Sequence, residues 1–301
     1  MKTICLLLMM LLLTGCGMKK EEEPMESIQV QPADQVSATV QGTVSTVEED
    51  TELFHLLIHP ENADLVRVKD YIPDVVTDLK YATSDNFTGQ IIYEFENVFL
   101  RYGTVMKLKE VSDELTDLGL RLKIWDGFRP VSAQFRLWEI CPDDTYVADP
   151  NRGYSNHSRG FAVDVTLIDS QGREVEMPTG YDDFSAKADR DYSDCTKIQR
   201  ENALLLESCM EKHGFSGYQG EWWHFNDTEK YDVEDCFDPA VISRKTLWKE
   251  SELLKAYWEP DSAVLRIPEA EAVTLLGYRE EYALVEYWGY RGYVPSAFLM
   301  K

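Results

Sequence analysis

An aspartate in the middle of an apolar run limits what this chain can become. The run Phe161-Ala-Val-Asp-Val-Thr-Leu-Ile168 reads as a strand, with Ala162, Asp164 and Thr166 on one face and Phe161, Val163 and Val165 on the other. A carboxylate at mid-strand is costly unless it is paired or bound to a metal. Just before it, Ser155-Asn-His-Ser-Arg-Gly160 supplies His157 and a glycine that permits close backbone approach or positive φ. Further along stands Glu221-Trp-Trp-His224. His157, Asp164 and His224 are therefore three candidate metal ligands, with Glu221 as a carboxylate beside them. Two neutral imidazoles and one carboxylate suit a catalytic zinc that keeps its fourth position for water.

The second cluster raises a geometric question. Glu221 to Phe225 is too short and too aromatic for a helix and is β-prone. In a regular strand, residues i and i+3 point to opposite faces. Glu221 and His224 reach one centre only if the strand twists strongly, bulges or ends there. The sequence leaves these three open. Arg129, in Asp126-Gly-Phe-Arg-Pro130, follows a run that alternates like a buried strand; it is a surface residue, a structural ion pair or an electrostatic clamp. Asp182 and Asp183 are solvated loop acids or a hold for an ammonium group. His213 precedes Gly214 and reads as a helix end rather than a ligand. His55 and His59, beside Pro60, read as a packing segment rather than a metal pair.

The chain has 301 residues, 44% of them hydrophobic and 12% aromatic, enough for one large core or two smaller ones. A net charge of -24 excludes nucleic acid as a natural partner and keeps the surface soluble. Membrane attachment must then come from another feature. Met1-Lys2, the apolar run Ile4 to Leu13, and Leu13-Thr-Gly-Cys16 look like a bacterial lipoprotein signal over 1–16, with Cys16 as the lipidated residue. The alternative is an ordinary signal peptide with an incidental cysteine, and both place the mature chain outside the cytoplasm. Residues 17–61 are a tether, too poor in apolar periodicity to fold alone. Cys141, Cys195, Cys209 and Cys236 form two disulfides or remain thiols; they show no C-x-x-C spacing for a cysteine zinc site.

Apolar spacing predicts helices over Leu100–Leu120, Val131–Ile140 and 197–213, and strands over Tyr71–Lys80, Leu120–Trp125 and Arg173–Met177. Val241 to Lys255 reads as a helix-like connector. After it, short alternating runs at Ala263–Ile267, Ala272–Leu276, Tyr282–Tyr287 and Trp288–Leu299 read as a small barrel of short strands.

Taken together, Ser155-x-His157-x-x-Gly160-x-Ala162-x-Asp164 with Glu221-x-x-His224 resembles the zinc D,D-peptidases of the LAS type. Within them the chain is most similar to the D-alanyl-D-alanine dipeptidases of the vancomycin-resistance kind. Three stretches favour that branch: Tyr81-Ala-Thr-Ser-Asp-Asn-Phe-Thr-Gly89, Trp125-Asp-Gly-Phe-Arg-Pro130, and the tryptophan that follows Glu221. The resemblance covers residues 62–240. It implies an α+β catalytic domain over 62–245 with a central, mainly antiparallel sheet. It further implies one Zn2+ held by His157, Asp164 and His224, Glu221 as general base and then general acid, and Arg129 on the scissile carbonyl. Substrate-binding roles map onto Tyr81, Asp126, Ser155 and Asp182, with Asp182 as partner of the substrate ammonium.

The end Gly292-Tyr-Val-Pro-Ser-Ala-Phe-Leu299 resembles bacterial SH3-like domains, which accompany cell-wall enzymes. It implies an all-β SH3-like barrel over 246–301, with the cell wall as a partner. Well-known dipeptidases of this kind act in the cytoplasm on free D-Ala-D-Ala. This chain departs from them: the Cys16 signal implies an extracytoplasmic, lipid-anchored protein that meets its substrate outside. Three functions follow as expectations: a D-Ala-D-Ala dipeptidase, a D,D-carboxypeptidase that trims peptidoglycan stem peptides, or a non-catalytic zinc-containing wall-binding lipoprotein. Glu221 and Arg129 weigh against the last, since zinc binding alone needs neither.

Overall fold

In a computed structural model, the structure describes residues 56–301. The lipoprotein signal with Cys16, most of the tether, and His55 lie outside the described residues. Among the described residues the chain is mixed α and β, with three α-helices and a β-rich C-terminal part. No described helix is long and apolar enough to cross a membrane.

The sheet that carries the candidate site has five strands: β2 (Val76–Thr77), β4 (Leu120–Asp126), β5 (Ala162–Asp169), β6 (Phe215–Tyr218) and β7 (Glu221–Asp227). Their order is β2-β4-β5-β7-β6. Only β2–β4 is parallel; the other three pairings are antiparallel. A two-stranded ribbon of β1 (Leu65–Arg67) and β3 (Phe99–Arg101) lies outside this sheet.

Helix α1 (Tyr102–Asp117) follows from the spacing of Val105, Leu108, Val111 and Leu115, all four fully buried. It packs against β4 and the helix Lys197–Lys212 (α3). Helix α2 (Val131–Ile140) starts directly after Pro130. Thr196 caps α3: its hydroxyl accepts from the Gln199 N–H, and the Gln199 side chain accepts from the Thr196 N–H. Trp222, Trp223 and Phe225 from β7 lie in the core of this part, each at most 1% exposed.

Two predicted strands shrink. Of Tyr71–Lys80 only Val76 and Thr77 pair, between short 3-10 turns. Of Arg173–Met177 only Glu174 bridges, to Ile168.

The segment Val241–Lys255 is not helical. It forms β8 (Ser243–Thr246) and β9 (Ser251–Leu254). Ser251 and Leu253 point inward while Glu252 points out, a period of two that wins once β9 has β10 (Ala263–Ile267) to pair with. With β11 (Ala272–Arg279), β12 (Tyr282–Tyr287) and β13 (Tyr290–Pro295) they make one antiparallel sheet in the order β10-β9-β13-β12-β11-β8. Among the described residues no pairing joins its ends, β10 and β8, so the region predicted as a small barrel is β-rich and antiparallel without closure by strand pairing.

This sheet shares a core with the site-bearing part: Leu276 and Leu284 pack in one cluster with Leu65, Phe99, Phe128 and Phe237. Gly277 lies at this joint, bridged to Phe237. A Cβ there would fall 1.8 Å from the Cys236 carbonyl oxygen. Cys141, Cys195, Cys209 and Cys236 are all free.

Candidate metal centre and cleft

The pairing of three strands places the acids and one imidazole in a row. Asp164 on β5 lies opposite His224 on β7 and, on its other side, opposite Asp126 on β4. The β4–β5 register shifts between Ile124 and Asp126. His157 comes from a 3-10 turn, His157–Arg159, just before β5. Gly160 closes that turn at φ 75°, and a Cβ there would meet a Leu65 methyl at 2.6 Å. Both constraints select glycine.

His157, Asp164 and His224 each offer one ligand atom to a common point, and these atoms lie within 4.8 Å of one another. His157 Nε2 is 3.2 Å from His224 Nδ1 and 3.4 Å from an Asp164 oxygen; His224 Nδ1 is 2.9 Å from the other Asp164 oxygen. Ligand atoms on a tetrahedron with bonds of about 2.0 Å stand about 3.3 Å apart. The spacing therefore fits a tetrahedral ion.

The outer ring nitrogens fix the tautomers. His157 Nδ1–H donates to the Gly127 carbonyl at 2.8 Å. His224 Nε2–H donates to Asn226 Oδ1 at 3.2 Å, an oxygen oriented by the Asn156 amide at 2.9 Å. With the outer nitrogens so engaged, the inner nitrogens, His157 Nε2 and His224 Nδ1, are the ones that turn towards Asp164 and can serve as metal ligands. Burial acts against the Asp164 carboxylate, but the two imidazoles outweigh it and hold its pKa well below the usual range. The Tyr181 hydroxyl donates to Asp164 Oδ2 at 3.0 Å.

Glu221 stands 3.8 Å from His224 Nδ1. Of the three ways open to the sequence, the structure uses a bulge. One step along β6, from Gly217 to Tyr218, moves the pairing on β7 from Phe225 to Glu221. Trp222, Trp223 and His224 are left without partners on β6, and Glu221 comes round to the side of His224. Burial raises the Glu221 carboxyl above its ordinary range.

Arg129 is a buried residue with three hydrogen-bond partners. Its guanidinium donates to Asp126 Oδ2 at 2.7 Å, to Gln134 Oε1 at 2.9 Å and to the Tyr93 hydroxyl at 3.2 Å, and its Cζ lies 5.0 Å from the Tyr81 ring centre. Burial opposes its charge, but the groups around it, Tyr93 and Asp126 foremost, keep its pKa well above the ordinary value. Asp126 is fully buried and accepts from Tyr93, the Gly127 N–H and Arg129. It lies behind Arg129 and does not line the cleft.

That cleft has a volume of about 340 Å³. Its walls include Tyr81, Arg129, Ser155, Asp182 and Glu221, together with His157, Asp164 and His224. The Tyr81 hydroxyl donates to Asp182 Oδ2 at 3.1 Å. Burial, followed by the charge of Asp164, pushes the Asp182 pKa up to about 8. The Ser155 hydroxyl accepts from the His157 N–H at 3.2 Å. His213 ends α3 and pairs with Glu110 and Glu114, away from the site.

Sequence reasoning missed Tyr93, Gln134, Tyr181, Asn156 and Asn226. Asn226 alone carried a signal: it sits two residues beyond His224, on the same face of a strand.

A family model described as D-Ala-D-Ala dipeptidase, of the M15 peptidases, matches residues 61–241. The D-alanyl-D-alanine dipeptidase of Escherichia coli is 38% identical over 165 residues, covering 55% of this chain and 85% of that protein. That of Enterococcus faecalis is 33% identical over 184 residues, 54% of this chain and 91% of its own length. That of Streptomyces coelicolor is 32% identical over 195 residues, 58% and 96% respectively.

Proposed function

The chain belongs to the M15 family of D-Ala-D-Ala dipeptidases, and from that premise we propose that it hydrolyses the D-Ala-D-Ala dipeptide at a zinc held by His157, Asp164 and His224. One observation carries the reading. Three ligand atoms at tetrahedral spacing share a cleft with a carboxyl of raised pKa and a fixed guanidinium. Zinc bound there supplies Lewis acidity and makes water nucleophilic near neutral pH.

The chain's own residues do the rest. Glu221 accepts the proton that the attacking water loses as the new C–O bond forms. It delivers that proton to the amide nitrogen, which leaves as an amine when the C–N bond breaks, and two alanines result. Its raised pKa suits a group that must both take and give a proton. Arg129 faces the scissile carbonyl and stabilises the charge that develops on its oxygen. Asp126, Gln134 and Tyr93 hold the guanidinium so that it need not reorganise during the reaction. Asp182, oriented by Tyr81, takes the substrate ammonium, and Ser155 lines the same cleft. A volume of about 340 Å³ lies at the small end of ligand sites, as a dipeptide requires.

In this reading the Cys16 signal anchors the protein outside the cytoplasm and the C-terminal sheet, as an SH3-like module, meets the cell wall. The test is product analysis of zinc-loaded protein with D-Ala-D-Ala and with a stem pentapeptide ending in D-Ala-D-Ala. Free alanine from the dipeptide is the expected result. Release of D-Ala from the pentapeptide alone would make the protein a D,D-carboxypeptidase. Zinc binding without either product would leave a wall-binding lipoprotein.

A further inference from the structure

The bulge in β7 brings Glu221 and His224 together, but it strips part of β7 of its ladder. With Trp222, Trp223 and His224 lacking partners on β6, the carbonyls on that side need other donors. One side chain supplies them. Arg190 Nη2 donates to the Trp222 carbonyl and the His224 carbonyl, each at 3.0 Å, and Nε donates to the Tyr218 carbonyl at 2.9 Å. A single guanidinium thus bridges both lips of the bulge.

Arg190 is itself held from three sides. Its side chain is 5% exposed, and Nη1 is 3.1 Å from Glu207 on α3. Glu207 also accepts from the Tyr192 hydroxyl at 2.8 Å. The Phe225 ring lies 4.3 Å from Arg190 Cζ, and the Arg190 N–H donates to the Gln219 carbonyl at 3.0 Å. Gly217 leaves room for it: a Cβ there would fall 2.2 Å from Arg190 Cζ.

We propose that Arg190 is a positioning residue for the metal centre, which holds the β7 bulge open and so sets the distance between the His224 ligand atom and the Glu221 carboxylate. This rests on the metal-site reading given above. The planar fork matters as much as the charge, because three carbonyls must be served at once. A lysine at this position keeps the ion pair with Glu207 but offers a single point of donation.

The test compares Arg190→Lys and Arg190→Ala with the native protein in three readouts: thermal unfolding, zinc affinity by chelator competition, and kcat and KM on D-Ala-D-Ala. The expected result for folded Arg190→Lys is a zinc affinity lowered by about tenfold or more and a kcat lowered by a similar factor, with KM little changed. Arg190→Ala extends both losses. If Arg190→Ala does not fold, Arg190→Lys decides alone. A lower unfolding temperature with zinc affinity and kcat within twofold of native would overturn the proposal and leave Arg190 a purely structural residue. If the native protein cleaves no dipeptide, the activity reading fails while chelator competition on Arg190→Lys still decides the positioning role.

Discussion

Asp164 and His224 sit directly opposite each other across the β5–β7 pairing, with 2.9 Å between the carboxylate and Nδ1. The metal centre is therefore a property of strand register. A slip of one residue in either strand would turn a ligand to the other face of the sheet. Buried apolar residues on both sides of Asp164, Val163 and Val165, fix that register independently of any ion.

A preformed site of this kind predicts how the protein responds to chelation. Removing metal lowers the unfolding temperature without unfolding the chain at room temperature, and zinc restores it. At a free zinc concentration of 100 times Kd the stabilisation is about 2.7 kcal/mol. Asp164→Asn abolishes the zinc-dependent shift. Calorimetry with and without chelator measures both.

Tyr181 gives the metal site one hydrogen bond, from its hydroxyl to Asp164 Oδ2. Tyr181→Phe keeps the ring against Trp125 and Tyr81 and removes the one hydroxyl. Zinc affinity is expected to fall by about 10- to 100-fold, read by chelator competition, with circular dichroism unchanged.

Asp182 gives the metal-free protein a pH signature. Its pKa in the folded state is about 8, against an ordinary 3.8. Between these values the folded state binds the proton more tightly than the unfolded state. The contribution to stability is complete below about pH 4 and is lost as pH rises towards 8. Asp182→Asn cannot ionise. It is expected to match the native protein at pH 4 and to unfold at a higher temperature than native at pH 8, while KM for the dipeptide rises. Melting curves across that window check the sign.

The joint between the two sheets can be tested at Gly277. Gly277→Ala drives a methyl group into the Cys236 carbonyl, and the backbone on both sides is held by the Asp238 N–H to Leu276 carbonyl bond of 2.9 Å. A destabilisation of at least about 1–3 kcal/mol is expected in denaturant unfolding.

Much of the site was readable because its residues are chemically out of place. Asp164 in an apolar run and the Glu221–His224 pair stand out without any fold. The amphipathic helices α1, α2 and α3 were readable because their buried faces repeat every three or four residues. What escaped depends on contacts distant in sequence. The β7 bulge is defined by its pairing with β6, and Arg190 caps it from a loop. Tyr93 and Gln134 meet Arg129 only in the folded chain. β8 and β9 are four residues each, too short for local periodicity to resist a helical reading, and their identity comes from β11 and β10. Asp126 was expected among the substrate-binding residues; its bond to Arg129 and the register shift that precedes it in β4–β5 are announced by no local pattern.

The central claim is that Glu221 moves protons at a metal centre it does not hold together. The most direct measurement is the zinc content of Glu221→Gln together with its kcat on D-Ala-D-Ala. The expected result is one zinc per chain, as in the native protein, with kcat reduced by about 100- to 10,000-fold. Native turnover by a zinc-loaded Glu221→Gln protein would contradict the account.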